Sequence, residues 1–122
     1  MQESGTTSTV IVIVAQFEFP AESADALVDM VRDMDTRTAQ EPGCMHYRHA
    51  VDVSNDRRLI LSEVWSDLDA LERHFRSAHF RKFRAVAREL GVRTELQQFR
   101  ADPVSPEHEH HVRALLRKAA IP

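Results

Sequence analysis

This chain of 122 residues is short of several things, and each shortage removes a class of protein. Cysteine occurs once, at Cys44, so no internal disulfide can form and a reducing compartment suits it. Basic charge is not in excess: the net charge is −3, and Arg81, Lys82, Arg84 and Arg88 read as the solvated side of a helix. A nucleic-acid partner is therefore not expected. Long apolar runs are missing too. The stretch VIVIVA (Val10–Ala15) falls far short of the roughly 20 residues that cross a membrane. The segment ahead of it, MQESGTTST, carries no positive charge, so neither a secretory signal nor a membrane association is expected, and the expected location is the cytoplasm.

What is present is ordinary for a globular chain: 43% apolar and 29% charged residues. The length fits one domain of roughly 100–150 residues, which buries only about two-thirds of its unfolded surface. Dimerisation would supplement such a core. Residues 1–9 are small and polar and read as a flexible tail, 10–102 as the domain, and 103–122 as a C-terminal helical extension.

Val10–Phe19 is β-branched and aromatic, and its continuous apolar stretch predicts a central strand covered on both faces. Leu27, Met30, Val31, Met34 and Thr38 then form one helical stripe, with Ser23 as N-cap, stopped by Pro42 and Gly43. Cys44–Val53 alternates, placing Met45, Tyr47, His49 and Val51 on one face. The turn SNDRR (Ser54–Arg58) leads into a paired strand, Leu59–Trp65, with Leu59, Leu61, Glu63 and Trp65 on one face. Helices follow, capped by Ser66 or Asp67 and by Ser77. Their expected apolar sides are Leu68, Leu71 and Phe75, then Phe80, Phe83, Ala87 and Leu90, with Gly91 as the stop. Val92–Ala101 reads as a weaker, polar strand. The order β-α-β-β-α-β predicts an α+β, ferredoxin-like fold with an antiparallel sheet and helices on one face. A second copy of the chain is the simplest cover for the other face. In the extension, Val112, Leu115, Leu116 and Ala119 form the stripe of a short amphipathic helix, expected to dock on its own domain or on a partner subunit, with a disordered tail as the alternative.

Two blocks, EPGCMHYRH and LILSEVWSDLDALERHFRSAHFRKF, carry a resemblance. The Glu-x-Gly-Cys turn (Glu41–Cys44), the strand end Glu63-Val64-Trp65, and the pairs His74-Phe75 and His79-Phe80 are similar to the pattern of the antibiotic biosynthesis monooxygenase family. That resemblance spans roughly residues 10–102. It implies a dimeric α/β barrel of two ferredoxin-like protomers. It also implies oxygenation of a small phenolic or hydroquinone compound to a quinone, with O₂ and with no metal, haem or flavin cofactor. Isomerisation of a small phosphorylated carbonyl metabolite, or a non-catalytic small-molecule-binding stress role, are the alternatives the same family offers. Two departures bear on this: Leu61 stands where some quinone-forming members carry an asparagine, and Gln16 and Arg84 stand where a haem-degrading branch would need asparagine and histidine. A haem role is therefore not expected.

Such chemistry needs a proton acceptor for the phenol and an aromatic, water-poor cavity. His74 and His79 are the candidate catalytic acid–base groups, since a histidine pKa near 6.5 suits the task. The competing reading buries Phe75 and Phe80 and leaves the histidines at helix edges. On an unbroken helix the i, i+5 pair is about 140° apart, and although a break at Ser77 would bring the two together, no third ligand stands at telling spacing, so no metal is expected. Trp65, Tyr47, Glu63 and His49 are candidates for the substrate wall, Glu63 either as a buried acid of raised pKa or as a paired one. Arg48 is a candidate for an ion pair. The cluster HEHH (His108–His111) reads as a solvated first helical turn, and Cys44 as a small buried residue.

Overall fold

The computed structural model describes residues 9–119, so the expected flexible tail falls almost wholly outside the described residues. Its elements are β1 (Val10–Glu18), α1 (Ala24–Thr38) entered through a 3₁₀ turn, β2 (Cys44–Asp52), β3 (Asn55–Trp65), α2 (Leu68–Arg76), α3 (Ala78–Glu89), β4 (Arg93–Ala101) and α4 (Pro106–Ala119). The sheet is antiparallel in the order β2-β3-β1-β4, with α1, α2 and α3 packed on one face. This is the ferredoxin-like arrangement that the element order predicts.

Strand alternation builds the core. Ile11, Ile13 and Ala15 of β1, Leu59, Leu61, Glu63 and Trp65 of β3, and Tyr47 of β2 point to the helices and are buried. Leu27, Val31 and Met34 of α1, Ala70 and Leu71 of α2, and Phe83 and Ala87 of α3 meet them. Each large aliphatic side chain so buried contributes roughly 1.5–3 kcal/mol. The strand β1 is central, as its β-branched run suggests, but only one of its faces is covered by this chain. Its other face shows Val14 at 44% exposure, with Phe99 of the neighbouring strand, the partner of Val12, at 50%.

Several local expectations are corrected. Ser23 does not cap α1: its hydroxyl donates instead to the carbonyl of Leu90 at 2.8 Å, tying the start of α1 to the end of α3. A β-bulge lies between Cys44, paired with Trp65, and His46, paired with Val64. The extra residue turns Met45 out to solvent and gives its inward place to Cys44. The β2–β3 turn is tighter than SNDRR suggests, because Asp52 pairs with Asn55 directly and only Val53 and Ser54 intervene. Arg48 forms no ion pair among the described residues; Arg58 does, bridging Glu18 and Asp52.

The largest correction concerns α2. Its buried side is Ala70, Leu71 and His74, while Leu68 and Phe75 are 48% and 42% exposed. The helix ends at Ser77, whose extended backbone (φ −67°, ψ 150°) makes it both the last cap of α2 and the N-cap of α3. That break resets the helical phase between the two His-Phe pairs. In the extension α4 forms with the expected stripe, but none of its residues is buried, so it does not dock on its own domain.

Candidate functional site

Between the inward sheet face and α3 lies a cavity of about 380 Å³. Ile13, Ala15, Phe17, Leu61, Tyr47 and Glu63 line it from the sheet. Phe75, Phe80, Phe83 and Ala87 line it from the helices. The helices stop short of β4, so the cavity opens there, between Thr94, Leu96 and Gln98 on the strand and Arg84 and Arg88 on α3. The size and mostly apolar wall suit one small flat molecule.

Glu63 is the one acid on that wall. It is 5% exposed and lies opposite Tyr47 in the β2–β3 ladder. The Trp65 indole N–H donates to its Oε1 at 2.8 Å, and its second oxygen accepts no hydrogen bond among the described residues. Burial pushes the carboxyl up to about 7, against the Trp65 hydrogen bond and with help from the charge of Glu41. A carboxyl poised there gains or loses its proton at neutral pH. Burial and the neighbouring carboxylates also hold the Tyr47 phenol well above its usual range, so Tyr47 stays a neutral hydroxyl.

Of the six residues singled out from the sequence, then, Glu63 and Tyr47 face the cavity. Trp65 and His74 are completely buried behind them, rings 4.8 Å apart and tilted by 33°. The two histidines of the His-Phe pairs are brought together, but by Glu41 and away from the cavity wall. Oε2 of Glu41 is 2.8 Å from Nδ1 of His74 and 2.7 Å from Nε2 of His79. Burial lowers the pKa of His74 against the pull of Glu41, so the imidazole is neutral and its Nδ1–H donates to the carboxylate. His49 repeats this pattern: its Nδ1 donates to Asp35 Oδ1 at 2.7 Å, and burial lowers its pKa against that bond. Nε2 of His49 and Nε2 of His74 are buried without hydrogen-bond partners.

Sequence reasoning missed Glu41 and Asp35 as partners of these histidines, and with Glu41 it missed the third group beside His74 and His79. The signal for Glu41 was its place in the Glu-Pro-Gly-Cys turn. Gly43 there has φ +85°, and a Cβ on it would lie 2.4 Å from the Ala70 Cβ. Only glycine lets the turn press against α2, which sets Glu41 over His74. Asp35 carried no comparable signal, since it lies among five other charged residues of α1.

Residues 10–86 match the sequence profile of a family described as antibiotic biosynthesis monooxygenase. Among curated proteins, an uncharacterized protein of Synechocystis is 25% identical over 73 residues, which make up 60% of this chain and 50% of that protein. The chain thus spans about half the length of that relative. A conserved protein of Methanosarcina mazei is 26% identical, with a TM-score of 0.72, over 78% of this chain and 95% of that one. A protein of Pseudomonas aeruginosa is 25% identical, with a TM-score of 0.73, over 83% of this chain and all of that one (100%). A third solved structure, named antibiotic biosynthesis monooxygenase, is 25% identical with a TM-score of 0.68, over 78% of this chain and 99% of that one.

Proposed function

Because the chain belongs to the antibiotic biosynthesis monooxygenase family, we propose that it oxygenates a small phenol or hydroquinone to a quinone, using O₂ and no organic cofactor. The observation that carries this reading is Glu63, a carboxyl with a pKa of about 7 on the wall of an aromatic cavity. Above that pH the carboxylate accepts the phenolic proton, and the resulting anion is electron-rich enough to react with O₂. The ring carbon gains one oxygen atom. The other leaves as water with the phenolic proton and the ring hydrogen, so phenol plus O₂ gives quinone plus water. Phe75, Phe80 and Phe83 hold the flat ring and keep bulk water away. Tyr47, a neutral hydroxyl beside Glu63, donates a hydrogen bond to the substrate oxygen. The acid–base role that the sequence suggested for His74 or His79 passes in this reading to Glu63, which touches the cavity.

A homodimer belongs to the same proposal. A second copy packed on Val12, Val14 and Phe99 covers the apolar outer face of the sheet, which α1–α3 leave bare. The test is oxygen uptake by the purified, sedimentation-sized dimer with a panel of hydroquinones and phenols, in air and under nitrogen. O₂ consumption matched by quinone formation supports the proposal. Turnover that persists under nitrogen, with exchange of substrate protons into solvent, would replace it with an isomerase, for which Glu63 serves equally as base. Binding without turnover would leave a small-molecule-binding protein.

A further inference from the structure

The trio of Glu41, His74 and His79 stands off the cavity wall, and the proposed oxygenation makes no use of it. Its three donor atoms lie within 4.8 Å of one another, one carboxylate oxygen and two imidazole nitrogens. We propose that these residues bind a divalent first-row metal ion, with zinc the best match, as a clamp between the 39–43 turn and the α2–α3 junction.

Two histidines and one glutamate are a donor set that zinc accepts, with water completing the coordination. The placement is built rather than incidental. Each ligand is fixed by its own device: Glu41 by the Gly43 turn, His74 by packing against Trp65 at 4.8 Å and Phe80 at 4.9 Å, and His79 by the Ser77 cap that starts α3. Little side-chain entropy remains to be lost on binding. In the metal-free arrangement Glu41 Oε2 sits between the two nitrogens, near the point a metal would occupy. Zinc bonds of about 2.0–2.1 Å set tetrahedral ligand atoms roughly 3.3 Å apart. Reaching that spacing moves the Glu41 oxygen about half an ångström away from each nitrogen and draws the two nitrogens, now within 4.8 Å, together by up to about 1.5 Å, through rotation of the Glu41 and His79 side chains. The side chains of His79 and Glu41 are 20% and 14% exposed, which gives an ion a way in, while His74 closes the inner side at 0%. Binding through Nδ1 places the His74 proton on Nε2, which has no hydrogen-bond partner. The rings of Tyr47 and Phe80 stand at 61° and 59° to the imidazole, so N–H···π contact is the compensation available there.

His108, His110 and His111 are exposed imidazoles on α4, and to keep adventitious chelation out of the readout the test starts from the chain carrying H108A, H110A and H111A. This protein is stripped with a chelator and titrated with Zn²⁺ by calorimetry, with thermal unfolding followed in parallel. One equivalent is expected at a dissociation constant of micromolar or below, together with a raised Tm. E41Q, nearly isosteric, and H79A, at a partly exposed position, should each weaken binding roughly 100-fold, since even outer-shell changes cost 10–100-fold. Substituted Co²⁺ should give the visible bands of a four- or five-coordinate site, and H79A should abolish them. Loss of all binding once the HEHH histidines are replaced overturns the proposal. So does an affinity that neither E41Q nor H79A alters while circular dichroism shows both variants folded. Neither result bears on the oxygenation reading, because the readout is metal affinity and not turnover.

Discussion

Glu63 and Glu41 stand one on each side of the packed rings of Trp65 and His74, Glu63 bonded to the indole and Glu41 to the imidazole. Glu63 has one weak donor, an indole N–H, and an open oxygen facing an aromatic cavity. Glu41 has two imidazole partners at 2.7–2.8 Å on a single oxygen. The same side chain thus does opposite work according to its company. Where donors are scarce, desolvation dominates and the proton becomes mobile near neutral pH. Where donors are supplied, the carboxylate becomes a fastening between elements far apart in sequence.

The contrast is broken most directly by exchanging each acid for its amide. Glu63→Gln should lower kcat by roughly 10²–10⁴-fold, the range for loss of a general base, while the chain stays folded. Glu41→Gln, in chelated buffer, should leave kcat within about tenfold but cost about 2 kcal/mol in urea unfolding, because a charge-assisted hydrogen bond becomes a neutral one. If Glu41→Gln abolished turnover at unchanged stability, the division between a reacting and a fastening glutamate would be wrong.

A second difference appears in the pH dependence of stability. The folded pKa of Glu63, about 7, lies above its ordinary value of 4.5. Between the two the folded chain keeps a proton that the unfolded chain has released. Stability is therefore fully supported below about 4.5, falls as pH rises, and levels off above 7. The loss is at most about 3 kcal/mol, at 1.36 kcal/mol per pKa unit. His49 and His74 act in the opposite sense: with folded pKa values lowered by burial, their contribution is lost as pH falls through and below the ordinary 6.5. Subtracting the wild-type unfolding curve from that of Glu63→Gln removes both histidines. The difference should favour the variant increasingly from pH 5 to about pH 7 and then level off. A flat difference would mean that Glu63 titrates normally.

How much of this was written in the sequence depends on the range of the interaction. Strand and helix order was legible because it rests on alternation and on neighbours three or four residues apart. Glu63 was legible as a group that burial could perturb, because its inward direction follows from Leu59, Leu61 and Trp65. What escaped depends on contacts across the fold or on a change of phase. Met45 turned outward because a bulge adds one residue to the count. His74 rather than Phe75 is buried because α2 turns its Ala70, Leu71 and His74 side to the sheet, one position round from the stripe read through Leu68, Leu71 and Phe75. The link from Glu41 to His74 and His79 crosses 33 and 38 residues, and no periodicity reports it.

The smallest expected effect tests whether the Glu41 arm depends on how α2 begins. Asp67 caps that helix by accepting the Ala70 N–H at 2.8 Å, and Ala70 is the residue against which Gly43 closes. Asp67→Ala should cost about 1 kcal/mol, the usual price of an N-cap, and Asp67→Asn should recover most of it. Gly43→Ala should cost more, about 2 kcal/mol, since it adds a Cβ at φ +85° and 2.4 Å from that of Ala70. The informative quantity is the double variant. A frayed first turn of α2 lets Ala70 retreat from the new methyl group, so the double variant should lose less than the sum of the two single losses, by more than about 0.5 kcal/mol, the rough limit of simple additivity. Strict additivity in urea unfolding would show that α2 holds its place without the cap. The position of Glu41 would then be set by the 39–43 turn alone, and its fastening to His74 would owe nothing to the helix start.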